Sequence, residues 1–241
     1  MAGPVRGRLE TSRPRRQGRR RASRFLRRLI FTVVAAAAAW LIASVALLVV
    51  LRWVDPPFTI VHLQRRGESL WEDQPYQKRY QFVRLERISR HLAHAVIAAE
   101  DGRFYLHRGI DWEEIEKVWK QELPKGRVRG VSTITQQLVK NLFLTTYPIR
   151  KPAEFLLAPA AERILSKERI LELYLNIVEW GRGIYGAEAA ARHYYGISAA
   201  RLNREQAARL AACLPAPRTR HPEKMDRMSA EILERMTRMG W

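Results

Sequence analysis

The stretch GVSTITQQLVKNLFL, residues 130–144, turns from loop-like to helical at one residue. Thr133 followed three positions later by Gln136 is a capping box, so a helix begins there. Ile134, Leu138 and Leu142 recur at four-residue steps and make an apolar face, while Thr133, Gln137, Lys140 and Asn141 fall at helical spacing on another. A helix N-terminus with hydroxyls at its mouth and a lysine two turns along is a seat for an anion, phosphate above all. A capped amphipathic helix with a solvated polar face has the same pattern, and this segment alone leaves both readings open.

Upstream, VIAAEDGRF (96–104) closes an apolar run with two adjacent carboxylates, Glu100 and Asp101, directly before Gly102. If the run from His91 to Ala99 is a helix, Gly102 ends it, and the two acids face the negative end of its dipole. That costs about 0.3–1 kcal/mol per charge unless a cation or a function compensates. Downstream, YPIRKPAEFLL places Pro152 in the first turn of a new helix, behind Arg150 and Lys151 and just before Glu154. Cations at a helix start are again locally disfavoured, and two such placements in one domain mark a candidate site. Arg150 and Lys151 could neutralise a diphosphate, with Glu154 a second carboxylate or an orienter of the cations. A surface i, i+4 pair between Arg150 and Glu154 is the plainer alternative.

Other stretches with helical signals are SRHLAHAVIAAE, DWEEIEKVWKQEL, AEFLLAPAAERIL, SKERILELYLNIVEW, GAEAAARHYYG and REQAARLAACL, so a mainly α domain is expected. GRGIYG (181–186) fits a dinucleotide-loop pattern but follows a helix rather than a strand, and it is read as a tight turn between helices. FTIVHL (58–63) alternates and reads as strand. His107, seven residues after Glu100, is a candidate for orienting the acid pair. No His, Cys and acid set has zinc spacing, and S-x-x-K and K-T-G are absent, which excludes a penicillin-binding acyl-transfer site. Cys213 is the single cysteine, so no internal disulfide forms.

Leu29 to Leu51 is twenty-three residues without a charge, long enough to cross a bilayer. Arg52, Trp53 and the Pro56-Pro57 pair follow it in place of a small-residue cleavage site, so an uncleaved anchor is expected. Residues 1–28 hold eleven arginines against Glu10 and supply +10 of the formal +19; the tail is expected to be disordered. Directly before a span, such a run sets topology and keeps the N-terminus in the cytoplasm, so no nucleic-acid partner is expected. The chain then divides into a basic tail (1–28), a transmembrane helix (29–51), a stalk and membrane-proximal segment (52–87) and an exported domain (88–241) on the outer, periplasmic side of the plasma membrane. The +9 left on the exported part suits an acidic partner, although an ordinary basic surface gives the same sum.

These segments resemble, in order, the five motifs of glycosyltransferase family 51, the peptidoglycan glycosyltransferases that polymerise lipid II. The motifs are EDGRFYLHRGID, GVSTITQQLVKNLFL, RKPAE, ERILELYLNIVEWGRGIYG with EAAARHYYG, and EQAARLAACLPAP, over residues 90–220. The single anchor, the absence of a transpeptidase motif and the end at Trp241 make the chain similar to the monofunctional branch. The resemblance implies a lysozyme-like, two-lobed, mainly α-helical domain after one transmembrane helix. It implies Glu100 as general base for the acceptor 4-hydroxyl, inversion to a β-1,4 link, Asp101 in support and Glu154 as the second glutamate. Lys140, Arg150 and Lys151 would lie near the diphosphate, and Gly130, Ser132, Thr133, Gln137 and Asn141 would line the sugar and phosphate sites. Tyr174 and Asn176 match the family's YLN. The resemblance alone implies a divalent cation, magnesium or manganese. Lipid II, the growing lipid-linked strand and the membrane are the partners it implies, with other cell-wall synthases or division proteins beside them.

Pro159 departs from the family, which continues a helix there, and puts the orientation of Glu154 in question. Glu179-Trp180 stands where many relatives have tyrosine. A lytic peptidoglycan hydrolase and a non-catalytic cell-wall scaffold are the alternatives; the hydrolase needs no anion seat, and the scaffold needs neither Glu100 nor Glu154.

Overall fold

The computed structural model describes residue 3 and residues 15–72, 75–122, 130–147 and 150–241. Contacts divide the chain into Met1–Ala43 and Ser44–Trp241. The first unit is chiefly the start of α1 (Arg15–Val50). Its Arg24–Val50 part is the one helix among the described residues long and apolar enough to cross a membrane. At 1.5 Å per residue it spans about 40 Å, against a hydrocarbon core of about 30 Å. The helix begins at Arg15, inside the tail expected to be disordered. Once the apolar run has nucleated a helix, each added residue costs little, and arginine is a good helix former.

The second unit contains α2 (Ile60–Glu68), β1 (Arg79–Tyr80), α3 (Arg90–Glu100), α4 (Trp112–Lys117), α5 (Ile134–Phe143), α6 (Lys151–Ile164), α7 (Lys167–Ile177), β2 (Glu179–Gly181), β3 (Ile184–Tyr185), α8 (Ala187–Tyr195), α9 (Arg204–Cys213) and α10 (Asp226–Arg238). It is mainly α, as the spacing of apolar residues requires. FTIVHL is not a strand. Thr59 Oγ1 accepts the His62 N–H and starts α2, which packs on α5, buries the adjacent Val61 and His62, the latter against Tyr80, Tyr185 and the Ile177 carbonyl, and leaves Leu63 exposed, a helical rather than alternating pattern. GRGIYG does connect α7 to α8, but as a β-hairpin. β2 pairs antiparallel with β3, and β1 joins β3 in parallel with Arg79 opposite Ile184. Gly183 makes the turn at φ +74°, where a Cβ would stand 2.6 Å from the Gln77 carbonyl oxygen. The helix expected to run through Val178-Glu179-Trp180 therefore stops at Ile177.

α7 is buried on every side, from Ile170 to Ile177, which makes it the central helix of the unit. α5 packs on α6 and α7, and α3 packs on α9 and α10. α10 falls after the last stretch with a recognised helical signal, yet Ser229, Ile232 and Met236 are buried at helical spacing along it. Arg169 of α7 holds the chain that enters the unit, through Nε to the Leu51 carbonyl (2.8 Å), Nη2 to the Val54 carbonyl (3.0 Å) and an ion pair with Asp55 (2.9 Å). The segment before α3 is held by α7 as well: Asn176 Oδ1 accepts the Val83 N–H (2.9 Å), Asn176 Nδ2 donates to the Val83 carbonyl (2.8 Å), and Glu172 Oε2 accepts the Leu85 N–H (2.6 Å).

Asn176→Ala leaves both polar groups of Val83 without partners and is expected to lower stability by about 2–4 kcal/mol, read as a fall in melting temperature. An unchanged melting temperature would show that this carboxamide does not hold the segment.

Candidate active site

The two acids of the EDG stretch have opposite surroundings. Asp101 ends α3 and is buried. Its Oδ2 accepts the N–H of Ile134, the first residue of α5, at 2.9 Å, and its two oxygens receive His107 Nε2 at 2.9 and 3.0 Å. The Gly109 N–H donates to His107 Nδ1 (3.1 Å), so the ring is the tautomer that carries its proton on Nε2. An acid badly placed at the end of α3 is thus well placed at the start of α5. The loop between is fixed from the far side too. Thr133 Oγ1 donates to the Gly109 carbonyl (2.6 Å) while it caps α5, and Gly109, at φ +94°, lies so close to α6 that a Cβ would stand 2.7 Å from the Ala158 carbonyl carbon. The capping box read from the sequence is complete, with the Gln136 side chain accepting the Thr133 N–H (3.0 Å).

Glu100, half-buried, points to α5 instead: its Oε2 accepts from Gln137 Nε2 at 2.7 Å. Burial pushes its pKa up, against the Gln137 hydrogen bond and the charges of Lys140 and Arg220, while Asp101 adds to the rise. Two cavities meet at this residue. One, of about 430 Å³, is bounded by residues 98–103 and 130–133, by Asp111, Glu114 and Lys117, and by Arg235, Arg238 and Met239. The other, of about 490 Å³, holds Gln137, Lys140, Arg150, Lys151 and Glu154, with Leu214 and Pro215. Ala99, Glu100, Gly130, Ser132 and Arg235 line both.

The second cavity is cationic and internally braced. Glu154 is buried, with Oε1 2.6 Å from Arg150 Nε and Oε2 2.8 Å from Lys151 Nζ; Lys151 also donates to Ser132 Oγ (2.8 Å) and Arg150 Nη1 to the Thr146 carbonyl (2.6 Å). The i, i+4 pair of Arg150 and Glu154 is real, but it lines a cavity rather than an open surface. Pro159 does not end α6, and Glu154 is held by its two cations. Lys140 has its pKa lowered to about 8, by burial first and then by Arg150, with Glu154 and Glu100 opposing.

Ten residues singled out in the sequence therefore line the paired cavity: Glu100, Asp101, Gly130, Ser132, Thr133, Gln137, Lys140, Arg150, Lys151 and Glu154. Three do not line either part. Asn141 donates to the Gln137 carbonyl within α5, Asn176 is engaged with Val83, and Tyr174 stands behind Gln137. Of the Glu179-Trp180 pair, Trp180 is wholly buried and Glu179 bonds Arg65 (3.1 Å). Arg235, which joins the two cavities, was not legible among the motifs because it sits on α10; the helical spacing of Ile232 and Met236 was the signal for that helix.

The donor atoms of Asp101, His107 and Asp111 lie within 4.8 Å of one another. All are already engaged: Asp101 by His107 and Ile134, His107 Nδ1 by Gly109, Asp111 Oδ1 by the Glu114 N–H, and Asp111 Oδ2 by Arg103. Glu154 has a cation on each oxygen. Among the described residues, the carboxylates of Asp101, Asp111 and Glu154 are thus taken by protein partners and are not free to ligate a magnesium or manganese ion, whereas Glu100 has only its Oε2 engaged, by Gln137.

The transglycosylase family model matches residues 67–237. The chain is 44% identical over 220 residues to the biosynthetic peptidoglycan transglycosylase of Dechloromonas aromatica (strain RCB), covering 88% of this chain and 95% of the relative. It is 47% identical over 188 residues to the protein of that name from Nitrosospira multiformis, covering 75% and 82% of the two chains, and 49% identical over 174 residues to that of Methylobacillus flagellatus, covering 70% and 76%. A half-buried acid between two cavities, one of them a braced cationic seat, is thus found in a sequence matched along most of its length, and the chain belongs to the transglycosylase family, the peptidoglycan glycosyltransferases that its five motifs resemble.

Proposed function

We propose that the protein polymerises lipid II into β-1,4-linked glycan strands, with Glu100 as the general base. The observation that carries this reading is the position of Glu100 on the shared wall of two cavities, one lined by Lys140, Arg150 and Lys151. Two sugar substrates have to meet at the base, and only the donor loses a diphosphate. The acceptor 4-hydroxyl gives its proton to Glu100 as its oxygen bonds the anomeric carbon of the donor strand. The bond from that carbon to the undecaprenyl diphosphate breaks from the opposite face, so an α-linked donor becomes a β link. The charge that develops on the leaving diphosphate falls to Lys140, Arg150 and Lys151. Glu154 acts by holding the last two in place; both of its oxygens are engaged, and it is not assigned a proton. Asp101 supports the base by fixing the end of α3 to the start of α5.

The apolar Arg24–Val50 helix serves as membrane anchor. With eleven arginines among residues 1–28, ahead of the uncharged run, the N-terminus stays in the cytoplasm and the catalytic unit acts on the outer, periplasmic side. Both substrates carry polyprenyl tails in that bilayer, so anchored enzyme and substrate meet by diffusion in two dimensions. Other synthases or division proteins are partners only by the resemblance.

Detergent-solubilised protein is expected to convert purified lipid II into glycan chains, and Glu100→Gln to lower that rate by about a hundredfold to ten-thousandfold. A folded wild type that makes no chains but shortens preformed strands would replace the polymerase reading with the hydrolase one. The cationic seat has its own test. Lys140, with its pKa lowered to about 8, is fully charged below that value and loses its charge as pH rises through it. Calorimetry should find inorganic diphosphate binding weakened across that range, and Lys140→Arg should remove the weakening. An affinity that does not change as the lysine titrates would take Lys140 out of the seat.

A further inference from the structure

Tyr174 lies wholly inside the unit on α7, and burial, with the negative charges of Glu100 and Asp101, pushes its pKa well above the ordinary tyrosine value. It is therefore a neutral O–H with a proton to donate, and that hydrogen bond goes to Gln137 Oε1 at 2.9 Å. A carboxamide whose oxygen is held on one side presents its NH₂ on the other, and Gln137 Nε2 donates to Glu100 Oε2 at 2.7 Å. In the opposite orientation the phenol oxygen could accept the NH₂ only by turning its proton away from Gln137 Oε1, the one acceptor it has among the described residues, and the amide oxygen would face the carboxylate. The phenol thereby selects which end of the amide the acid meets.

The remaining groups around Glu100 act by charge. Asp101, bonded to His107, disfavours ionisation of Glu100; Lys140 of α5 and Arg220 after α9 favour it. Arg150, Lys151 and Glu154 of α6 line one cavity with it. Glu114 and Lys117 of α4 line the other, with Arg103, Asp111 and Arg238, and Arg235 lines both. The influence of each of these has a sign set by its charge. Gln137 is neutral, and the sign of its effect depends on its orientation alone: the NH₂ end favours the ionised acid and the oxygen end favours the protonated one.

We infer that Tyr174 is a positioning residue for the reaction: by holding the Gln137 carboxamide with its NH₂ toward Glu100, it sets the pH above which Glu100 is free to accept the acceptor's proton. This rests on the reading of Glu100 as the base. It gives the tyrosine of the fourth motif a role that needs no contact with substrate.

The test is the pH dependence of kcat/KM for lipid II polymerisation by the full-length protein, with Tyr174→Phe, Gln137→Met, the double variant and Glu100→Gln beside the wild type. Tyr174→Phe keeps the buried ring and removes only the donor, and is expected to move the acid limb up by about one pH unit. Gln137→Met, which keeps the side-chain length and removes the amide, should move it the same way. The double variant should match Gln137→Met alone, because the tyrosine acts through the amide. If the phenylalanine variant does not fold, Gln137→Met is decisive: a raised limb supports the relay and an unmoved one overturns it. A Tyr174→Phe limb at the wild-type position overturns the proposal even if the plateau rate falls, since a merely structural loss scales the rate at every pH. An additive double variant overturns it too. An inactive Glu100→Gln beside an unmoved limb defeats the positioning role alone, whereas a fully active Glu100→Gln removes the base reading and this inference with it.

Discussion

The carboxylate of Asp101 stands between two helix ends, and the geometry of the cleft depends on it. It terminates α3 and accepts the first backbone N–H of α5, so the unfavourable dipole of one helix is met by the favourable dipole of the next. A buried acid with two such partners is stable only while both helices keep their places, and each direct hydrogen bond to it is a charged one. His107 closes the other side of the same carboxylate, and Gly109 links that ring to Thr133 and to the backbone of α6. Three helices that carry Glu100, Gln137 with Lys140, and Glu154 are in this way tied to the one loop between Asp101 and Ile110.

Electrostatics in the cleft follow from the same burial acting on groups of opposite sign. Taking Glu100 out of water raises its proton affinity, which makes it a better base, while taking Lys140 out of water lowers its pKa to about 8, which makes its charge conditional. The two arginine and lysine side chains beside it would repel one another in an empty cavity. Glu154 offsets that repulsion by sitting between them with an oxygen for each, and it is affordable as a buried charge because it is doubly paired. In the proposed reaction the leaving diphosphate meets cations already in position, with little rearrangement needed at the moment its charge develops.

The YLN stretch illustrates how neighbouring letters of one motif divide their work. Tyr174 and Asn176 are two residues apart on a helix, hence on different faces. Tyr174 reaches the amide beside Glu100, and Asn176 replaces the backbone partners that Val83 lacks outside a sheet. Motif membership alone assigns both to the site; their hydrogen bonds separate one that reaches the cleft through Gln137 and Glu100 from one that holds the segment before α3.

By itself the sequence determined the apolar helix, the helical class of the second unit, the capping box at Thr133 and six charged residues of the cleft, Glu100, Asp101, Lys140, Arg150, Lys151 and Glu154, from local pattern and motif along the chain. It erred where local pattern was too short to separate periods: FTIVHL fits both an alternation and one turn of helix, and burial of the adjacent Val61 and His62 decided for the helix. α10 was readable in its apolar spacing, but nothing along the chain linked Arg235 to a cleft formed chiefly by residues between 98 and 154. Only the tertiary structure decided that Asp101 turns inward and Glu100 toward the cleft, that the Arg150–Glu154 pair lines a cavity, and that Tyr174 orients Gln137. Those outcomes depend on which groups burial brings together, and a hydrogen bond between α7 and α5 leaves no periodic trace in either helix.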